Sequence, residues 1–357
     1  MRLFESQLRH LRLPRLVNFC SSPAIQSPAK LRLTYNGFQH RASSSSASYN
    51  ASQIPGIENC PCSADIHTPG AEGLEIDHTS PISGVITRHY RHVLIHTGTN
   101  NWPSRIESDD KSVAAKLKSL ISRRGLFVDP FYPILVTNAS FPAKGDIKND
   151  SSVTISIFPE GIEIPSIPNT IDGFKSLVTS FLLPPSETWL KTRTDPSSFT
   201  TRKITKPVIL ACSHGSRDER CGILGPAIAQ AFERALEKQG GESKAEAIVG
   251  EISHIGGHKF AGNIIIHLPA EHKLSKAINS AAVAGSPGLD LLGRFVKTKP
   301  SQSEGGTAIW YGRVMPNHVE GIIENTLKGG RIIKELLRGL VNSNGDLIDL
   351  RSAGLQY

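Results

Sequence analysis

Two cysteines and two histidines in the second half of the chain have types and spacing suited to metal binding or redox chemistry. Cys212 and Cys221 are separated by eight residues, and His254 and His258 are separated by three. Thiolate sulfur and imidazole nitrogen are ligands that suit zinc and iron–sulfur clusters. The two cysteines form neither a C-x-x-C redox motif nor a pair with usual zinc-finger spacing. The spacing alone leaves three alternatives open: a zinc ion, an iron–sulfur cluster, or a thiol pair with two loop histidines and no metal.

The elements predicted around the cysteines indicate how their side chains are positioned. The apolar run Pro207–Ala211 predicts a buried strand that ends just before Cys212. The apolar stripe of Leu224–Glu237 predicts a helix that begins just after Cys221. A helix N-terminus stabilises a nearby thiolate through its dipole. The loop between the two elements can therefore present two thiolates to one site.

The histidines are predicted to lie on a loop at the same end of the sheet. His254 follows a second predicted strand, Ala247–Ser253, and the Gly256-Gly257 pair before His258 disfavours a helix. We therefore expect two thiolates and two imidazoles to converge.

Three further residues are candidates for supporting this site. His214 lies within the cysteine loop, and we interpret it as a residue that orients a ligand rather than as a ligand itself. Asn263 and Arg313 lie near the ends of predicted strands, where a hydrogen bond to the site and a purely structural role are equally good interpretations.

The cysteines in the first part of the chain are harder to interpret. The chain has five cysteines, and their sparse, odd count is not typical of a secreted disulfide scaffold. Cys60 and Cys62 flank a proline, and a disulfide between them would close a small, strained ring. They are possible redox thiols, with metal binding and ordinary thiols as the alternatives.

The net charge of the chain, +8, is concentrated at its N-terminus. Residues 1–57 contain seven Lys and Arg residues and one acidic residue, Glu5, so they carry six of the eight net positive charges. An Arg- and Ser-rich, acid-poor, amphipathic start is typical of a mitochondrial presequence, and a disordered basic tail is the alternative. The nearly neutral remainder argues against a nucleic-acid partner. No apolar run is long enough for a membrane-spanning helix.

Both halves of the remaining chain have the alternating strands and helices of an α/β fold. We expect an N-terminal α/β domain over residues 58–183, a linker over 184–206, a second domain over 207–345 and a tail over 346–357. Both halves read in the order β-α-β-β-α, and we expect each to be thioredoxin-like. The first half has predicted strands at His89–His96, Tyr132–Thr137 and Val153–Phe158, and helices at Asp109–Arg124 and Ile171–Leu182. The second half adds to the elements above strands at Asn263–Leu268 and Ala308–Val314, and helices at Val319–Leu327 and Ile332–Leu340.

Three blocks of the second half resemble the sucrase/ferredoxin-like family: ACSHGSRDERCG, SHIGGHKFAGNIII and IWYGRVMPNHVEGII. The resemblance extends from about Cys60 to Leu340. It implies a C-terminal thioredoxin-like ferredoxin domain that holds a [2Fe–2S] cluster. Its ligands would be Cys212, Cys221, His254 and His258. Neutral imidazole ligands in place of anionic thiolates make such a cluster easier to reduce.

The sequence therefore favours a mitochondrial [2Fe–2S] electron-transfer protein with Cys2His2 ligation and a role in thiol redox homeostasis. We expect an electron carrier that works with redox partner proteins rather than a stand-alone enzyme, since no nucleotide-binding motif is present. One alternative is a thiol–disulfide oxidoreductase that uses Cys212/Cys221 or Cys60/Cys62. Another is a zinc-stabilised interaction module.

Overall fold

A computed structural model describes residues 54–62, 68–142, 151–184, 186, 188–239, 246–281, 288–289, 295–296, 305–348 and 350. The predicted presequence lies outside the described residues except for its last four positions, 54–57. Within the described residues, no helix combines the length and apolar character needed to cross a membrane.

The described strands and helices confirm an α/β protein. The strands are β1 (Gly56–Ile57), β2 (Arg91–His96), β3 (Ile134–Ala139), β4 (Ser152–Phe158), β5 (Ile162–Pro168), β6 (Arg202–Lys203), β7 (Val208–Cys212), β8 (Ile248–Ile252), β9 (Ile264–Leu268), β10 (Gly288–Leu289), β11 (Phe295–Val296), β12 (Thr307–Tyr311), β13 (Ile332–Ile333) and β14 (Leu337–Val341). The α-helices are α1 (Val113–Ile121), α2 (Ile171–Leu177), α3 (Glu219–Lys238), α4 (Lys273–Ser280) and α5 (Val319–Ile322). Single π-helical turns extend α2 over Val178–Leu182 and α5 over Ile323–Lys328.

One mixed sheet of ten strands runs through both halves of the chain in the order β14-β12-β9-β7-β8-β3-β2-β4-β5-β6. In the first half, β2 is parallel to β3 and antiparallel to β4, which is antiparallel to β5. The second half repeats this arrangement with β7, β8, β9 and β12. The halves join where Ala139 of β3 pairs with Ile252 of β8. The domain boundaries stay a prediction, and β6 lies within the predicted linker.

Helices cover one face of each half because their apolar stripes face the sheet. In α1, the Ser112 hydroxyl caps the helix by accepting from the Ala115 amide, and Leu117 is fully buried. In α3, Asp218 caps the first turn, and buried residues at helical spacing pack on β7 and β9.

On the other face of the sheet, no helix occurs among the described residues, and this face is buried because the sheet rolls onto itself. Three strands separate β2 from β9, which would place them about 19 Å apart in a flat sheet. Yet Nδ1 of His92 on β2 lies 3.0 Å from Nε2 of His267 on β9. Phe158 of β4 stacks on the same His267 ring, with centroids 3.8 Å apart. The helix-free faces of the two halves therefore pack against each other.

The final helix predicted at Ile332–Leu340 is wrong. This segment forms β13, a 3₁₀ turn over Lys334–Leu336 and the start of β14. All five residues of β14 are buried, and a short apolar run that is buried on both faces imitates a helical stripe. Strand β5 and helix α4 were not predicted. Strand β1, within the predicted N-terminal segment, pairs with β13 in parallel.

Candidate metal centre

The two cysteine thiols lie side by side at the end of the sheet. Cys212 is the last residue of β7, and Cys221 lies in the first turn of α3. Each is only 1% exposed, and neither forms a disulfide. A Cβ added to Gly225 would lie 2.2 Å from the carbonyl oxygen of Cys212. The absence of a side chain at Gly225 therefore allows α3 to approach β7 closely enough to bring the thiols together.

The two thiols differ in acidity because one donates to the other. A hydrogen bond from the Cys221 thiol holds the pKa of Cys212 well below its usual value, against the opposing effect of burial. The side chain of His254 and the backbone amide of Ile255 also favour the Cys212 thiolate. The same hydrogen bond, together with burial, raises the pKa of Cys221. Cys212 is therefore the more acidic of the two thiols.

The two histidines meet on the loop after β8. The ring centroids of His254 and His258 are 5.4 Å apart, with 34° between the ring planes. Gly256 and Gly257 have φ values of +83° and +69°, which side-chain-bearing residues rarely adopt, and these values turn the chain so that the rings approach. The Nδ1 atom of His254 is buried without a hydrogen-bond partner in the described part of the chain.

The His258 side chain lies at the surface, with 47% of it exposed. Its Nε2 atom is 4.0 Å from a carboxylate oxygen of Asp218, the capping residue of α3. Asp218 is itself held by the guanidinium of Arg220, with two N–O distances of 2.9 Å. Asp218 can therefore orient the outer edge of the His258 ring.

His214 uses both ring nitrogens for structural hydrogen bonds. Its Nε2 donates to the carbonyl of Pro103 at 2.9 Å, and its Nδ1 accepts from the backbone amide of His254 at 3.0 Å. A ring engaged at both nitrogens has no lone pair for a metal. His214 therefore positions the loop that carries His254.

Asn263 and Arg313 occupy different surroundings. The side-chain amide of Asn263 donates to the carbonyl of Gly257, between the two histidines, and its oxygen accepts from Arg338 at 2.7 Å. Arg313 instead donates to the backbone carbonyls of Asp77 and Ser80, both at 2.7 Å. Asn263 thus supports the histidine loop, whereas Arg313 anchors residues 77–80.

Sequence reasoning missed Arg338, a buried arginine that contacts the same loop. It lies in the segment that was wrongly predicted as a helix, and it was not part of the apolar stripe on which that prediction rested. The sequence feature that could have indicated a buried arginine is its position next to a glycine within an apolar run.

Cys60 packs in a different apolar cluster from Cys212 and Cys221, beside α5. Cys60 is buried, and a Cβ on Gly321 of α5 would lie 2.5 Å from its sulfur. Its backbone amide donates to the Glu335 carboxylate. Cys62 is exposed, and its thiol contacts the carbonyl of Cys60 at 3.3 Å.

Two cysteines and two histidines match in number and type the protein ligands of a [2Fe–2S] cluster with mixed Cys/His ligation. Among the described residues, no three His, Cys, Asp or Glu side chains form a group that could hold one metal ion. A Cys2His2 zinc site requires four donors around one point. Each iron of a [2Fe–2S] cluster takes only two protein ligands, as in Rieske centres. A cysteine pair beside a histidine pair, with a buried and unsatisfied imidazole nitrogen, meets that requirement.

Comparisons with known proteins agree with the sequence resemblance. A family model described as sucrase/ferredoxin-like matches residues 82–339. The chain is 30% identical over 311 residues to altered inheritance of mitochondria protein 32 of Debaryomyces hansenii, a match that covers 80% of this chain and 96% of that protein. It is 28% identical over 281 residues to the protein of the same name from Clavispora lusitaniae, covering 74% of this chain and 85% of that protein. No solved structure matches. Because the family model spans more than half of the sequence, the chain belongs to the sucrase/ferredoxin-like family.

Proposed function

We propose that the protein is a mitochondrial electron carrier that holds a [2Fe–2S] cluster on Cys212, Cys221, His254 and His258. The observation that carries this proposal is the interaction of the His254 side chain with Cys212, which joins the pair of buried thiols to the pair of loop histidines. When bound, such a cluster takes up and releases single electrons. The chain itself supplies the four ligands. It buries the two cysteines of the proposed site and leaves His258 near solvent.

The burial pattern supports electron exchange at the histidine edge. Cys212 and Cys221 are almost completely buried, whereas nearly half of the His258 side chain is exposed. A redox partner protein that docks at this edge would approach the site through His258. The buried thiols, in contrast, are protected from solvent and from oxidation.

A thioredoxin-like architecture fits the strand order of each half. The first strand is parallel to the second and antiparallel to the third, and the fourth is antiparallel to the third. In the second half, α3 connects the parallel strands β7 and β8 and places Cys221 at its N-terminus. A thioredoxin-like ferredoxin domain with its cluster at this end of the sheet is consistent with that order.

Mitochondrial location is supported by the names of the relatives and by the cationic N-terminal segment. If the segment is an import signal, replacing Arg2, Arg9, Arg12 and Arg15 by glutamate in the full chain should abolish mitochondrial accumulation. Fractionation of cells expressing each version measures this. Unchanged accumulation would contradict the presequence interpretation.

The decisive experiment for the cluster is anaerobic purification followed by iron, zinc and acid-labile sulfide analysis. We expect about two irons and two sulfides per chain. Replacing Cys212 or Cys221 by serine, or His254 or His258 by alanine, should strongly reduce both contents. Cys62→Ser and His78→Gln are matched controls at exposed positions, and they should retain the cluster. Stoichiometric zinc without sulfide would overturn the proposal.

A second candidate function, a thiol–disulfide oxidoreductase, is favoured by one observation. The thiol of Cys212, whose pKa is lowered by a hydrogen bond from Cys221, lies next to the Cys221 thiol, as a redox-active dithiol requires. This function predicts disulfide exchange that survives His254→Ala and His258→Ala but is lost with either cysteine. The electron-carrier proposal predicts instead that the histidine variants lose function together with the cluster.

A further inference from the structure

Arg338 on β14 is a buried cation without an acidic partner. Its side chain is among the largest that are fully buried, and the residue is 1% exposed. Within the described ranges, no carboxylate lies within salt-bridge distance of its guanidinium. Its hydrogen bonds go to neutral oxygens, the side-chain amide oxygen of Asn263 and the backbone carbonyl of Val85, and its Nε is buried without a partner. Proteins rarely bury such a charge without a compensating negative group.

The guanidinium lies directly against the loop that carries the two histidines. A Cβ on Gly257 would be 2.1 Å from Nη2 of Arg338, so the guanidinium occupies the space next to that glycine. Asn263 links the same guanidinium to the carbonyl of Gly257. The ring of Trp310 lies 5.9 Å away on the neighbouring strand. Contacts with Gly257, Asn263 and Trp310 therefore hold the guanidinium of Arg338 beside the loop that carries the two histidines.

The negative groups that interact electrostatically with Arg338 are the two cysteines. Burial lowers the pKa of Arg338 to about 10, and the charges of Cys212 and Cys221 oppose that shift. The guanidinium therefore remains charged at neutral pH. The attraction between charges is stronger in a buried site than in water, so this cation acts on any negative charge that the site acquires.

We propose that Arg338 is the counter-charge of the metal centre and raises its reduction potential by favouring the state that holds the extra electron. This inference rests on the proposed function, since it requires a redox group on the four ligands. Reduction adds one negative charge to the site. A fixed, buried positive charge lowers the free energy of that reduced state relative to the oxidised one. Arg338 is thus a positioning residue that acts by charge and binds no iron itself.

The test is a redox titration of the loaded, full-length protein, followed by visible absorbance. Arg338→Met keeps the approximate size of the side chain and removes its charge. Asn263→Asp keeps the arginine and places a carboxylate beside it, but it also removes the amide donor to the Gly257 carbonyl, so its potential is interpreted only together with that of Arg338→Met. At a fixed applied potential, we expect either change to lower the ratio of reduced to oxidised protein by about tenfold or more, which corresponds to a fall of about 59 mV for one electron.

Arg313→Met is the matched control, because Arg313 belongs to the same region but donates to carbonyls of residues 77–80. It should change the ratio by less than about threefold. Iron and sulfide contents and the electron paramagnetic resonance spectrum of each variant show whether the ligands are unchanged. A purely structural role for Arg338 would alter thermal stability and leave the potential unchanged.

The outcomes separate this inference from the proposed function. The role of Arg338 is overturned if the Arg338→Met or Asn263→Asp protein is folded and fully loaded but has an unchanged reduction potential. That outcome leaves the proposed cluster in place. An equal shift of the reduction potential in Arg313→Met also overturns the role of Arg338, since any nearby positive charge would then have the same effect. A wild-type chain that incorporates neither iron nor sulfide overturns the proposed function, and the inference with it.

Discussion

Nδ1 of His92 and Nε2 of His267 lie 3.0 Å apart in the buried space between the two halves of the sheet. The other nitrogen of His92 pairs with the Thr137 hydroxyl at 2.8 Å. His89 approaches the same cluster edge-on, with its ring centroid 5.9 Å from that of His92. The two facing nitrogens can share one proton but cannot both be protonated without repulsion. The rolled sheet therefore depends on neutral histidines.

Acid should destabilise the protein through this cluster. Burial first, and then the neighbouring histidines, hold the pKa values of His92 and His267 well below the ordinary value of about 6.5. The stabilisation is therefore present above about pH 6.5 and is lost as pH falls, because the unfolded chain takes up protons that the folded chain does not. We expect the free energy of unfolding to fall by about 1.4 kcal/mol per pH unit for each such histidine.

Urea denaturation between about pH 7 and pH 5 measures this dependence. His92→Gln removes one of the titrating groups and should make the fall with pH shallower. His78→Gln, at an exposed position, is the matched control and should leave the slope unchanged. Identical slopes for the wild type and both variants would contradict a role for the buried cluster.

Gly257→Ala should destabilise the metal centre more than an ordinary glycine replacement. Gly257 and Gly73 both have left-handed φ values, +69° and +81°, but only Gly257 faces a close neighbour, the guanidinium of Arg338. Alanine at either position costs about 1 kcal/mol for the backbone conformation, and at Gly257 the clash adds about 1–3 kcal/mol. Thermal unfolding and iron content of the two variants measure the difference. Equal losses would show that the contact with Arg338 is easily relieved.

Thiol labelling should distinguish Cys60 from Cys62. Burial and the neighbouring Cys62 raise the pKa of Cys60 to about 12, so almost none of it is thiolate near neutral pH. Cys62 is exposed. We expect iodoacetamide to modify Cys62 at least about tenfold faster than Cys60 in the folded protein, as measured by peptide mass spectrometry. Equal rates would instead favour an accessible redox pair, and labelling of Cys62→Ser identifies any modification of Cys60.

Local patterns predicted much of the secondary structure. The strand β7 and the helix α3 were expected from a buried apolar run and an amphipathic stripe. Strand β7 lies within one residue of its predicted position, whereas α3 begins five residues earlier than predicted, at Glu219, so that Cys221 lies inside the helix. The segment over Ile332–Leu340 was misassigned, because burial on both faces removes the alternation by which a strand is recognised. No local pattern reveals strand β6, because it has only two residues and depends on pairing with β5, which is distant in the sequence.

The amino-acid sequence by itself determined the donor types, their spacing and their attachment to strand ends and a helix start, since these depend on neighbours in the chain. Only the tertiary structure decided that α3 approaches closely enough for Cys221 to donate to Cys212, and that His214 is engaged at both nitrogens. Only the structure placed Arg338 against Gly257 and rolled β2 onto β9. These relationships join residues far apart in sequence, and they are set by the packing of buried faces, which no local pattern records.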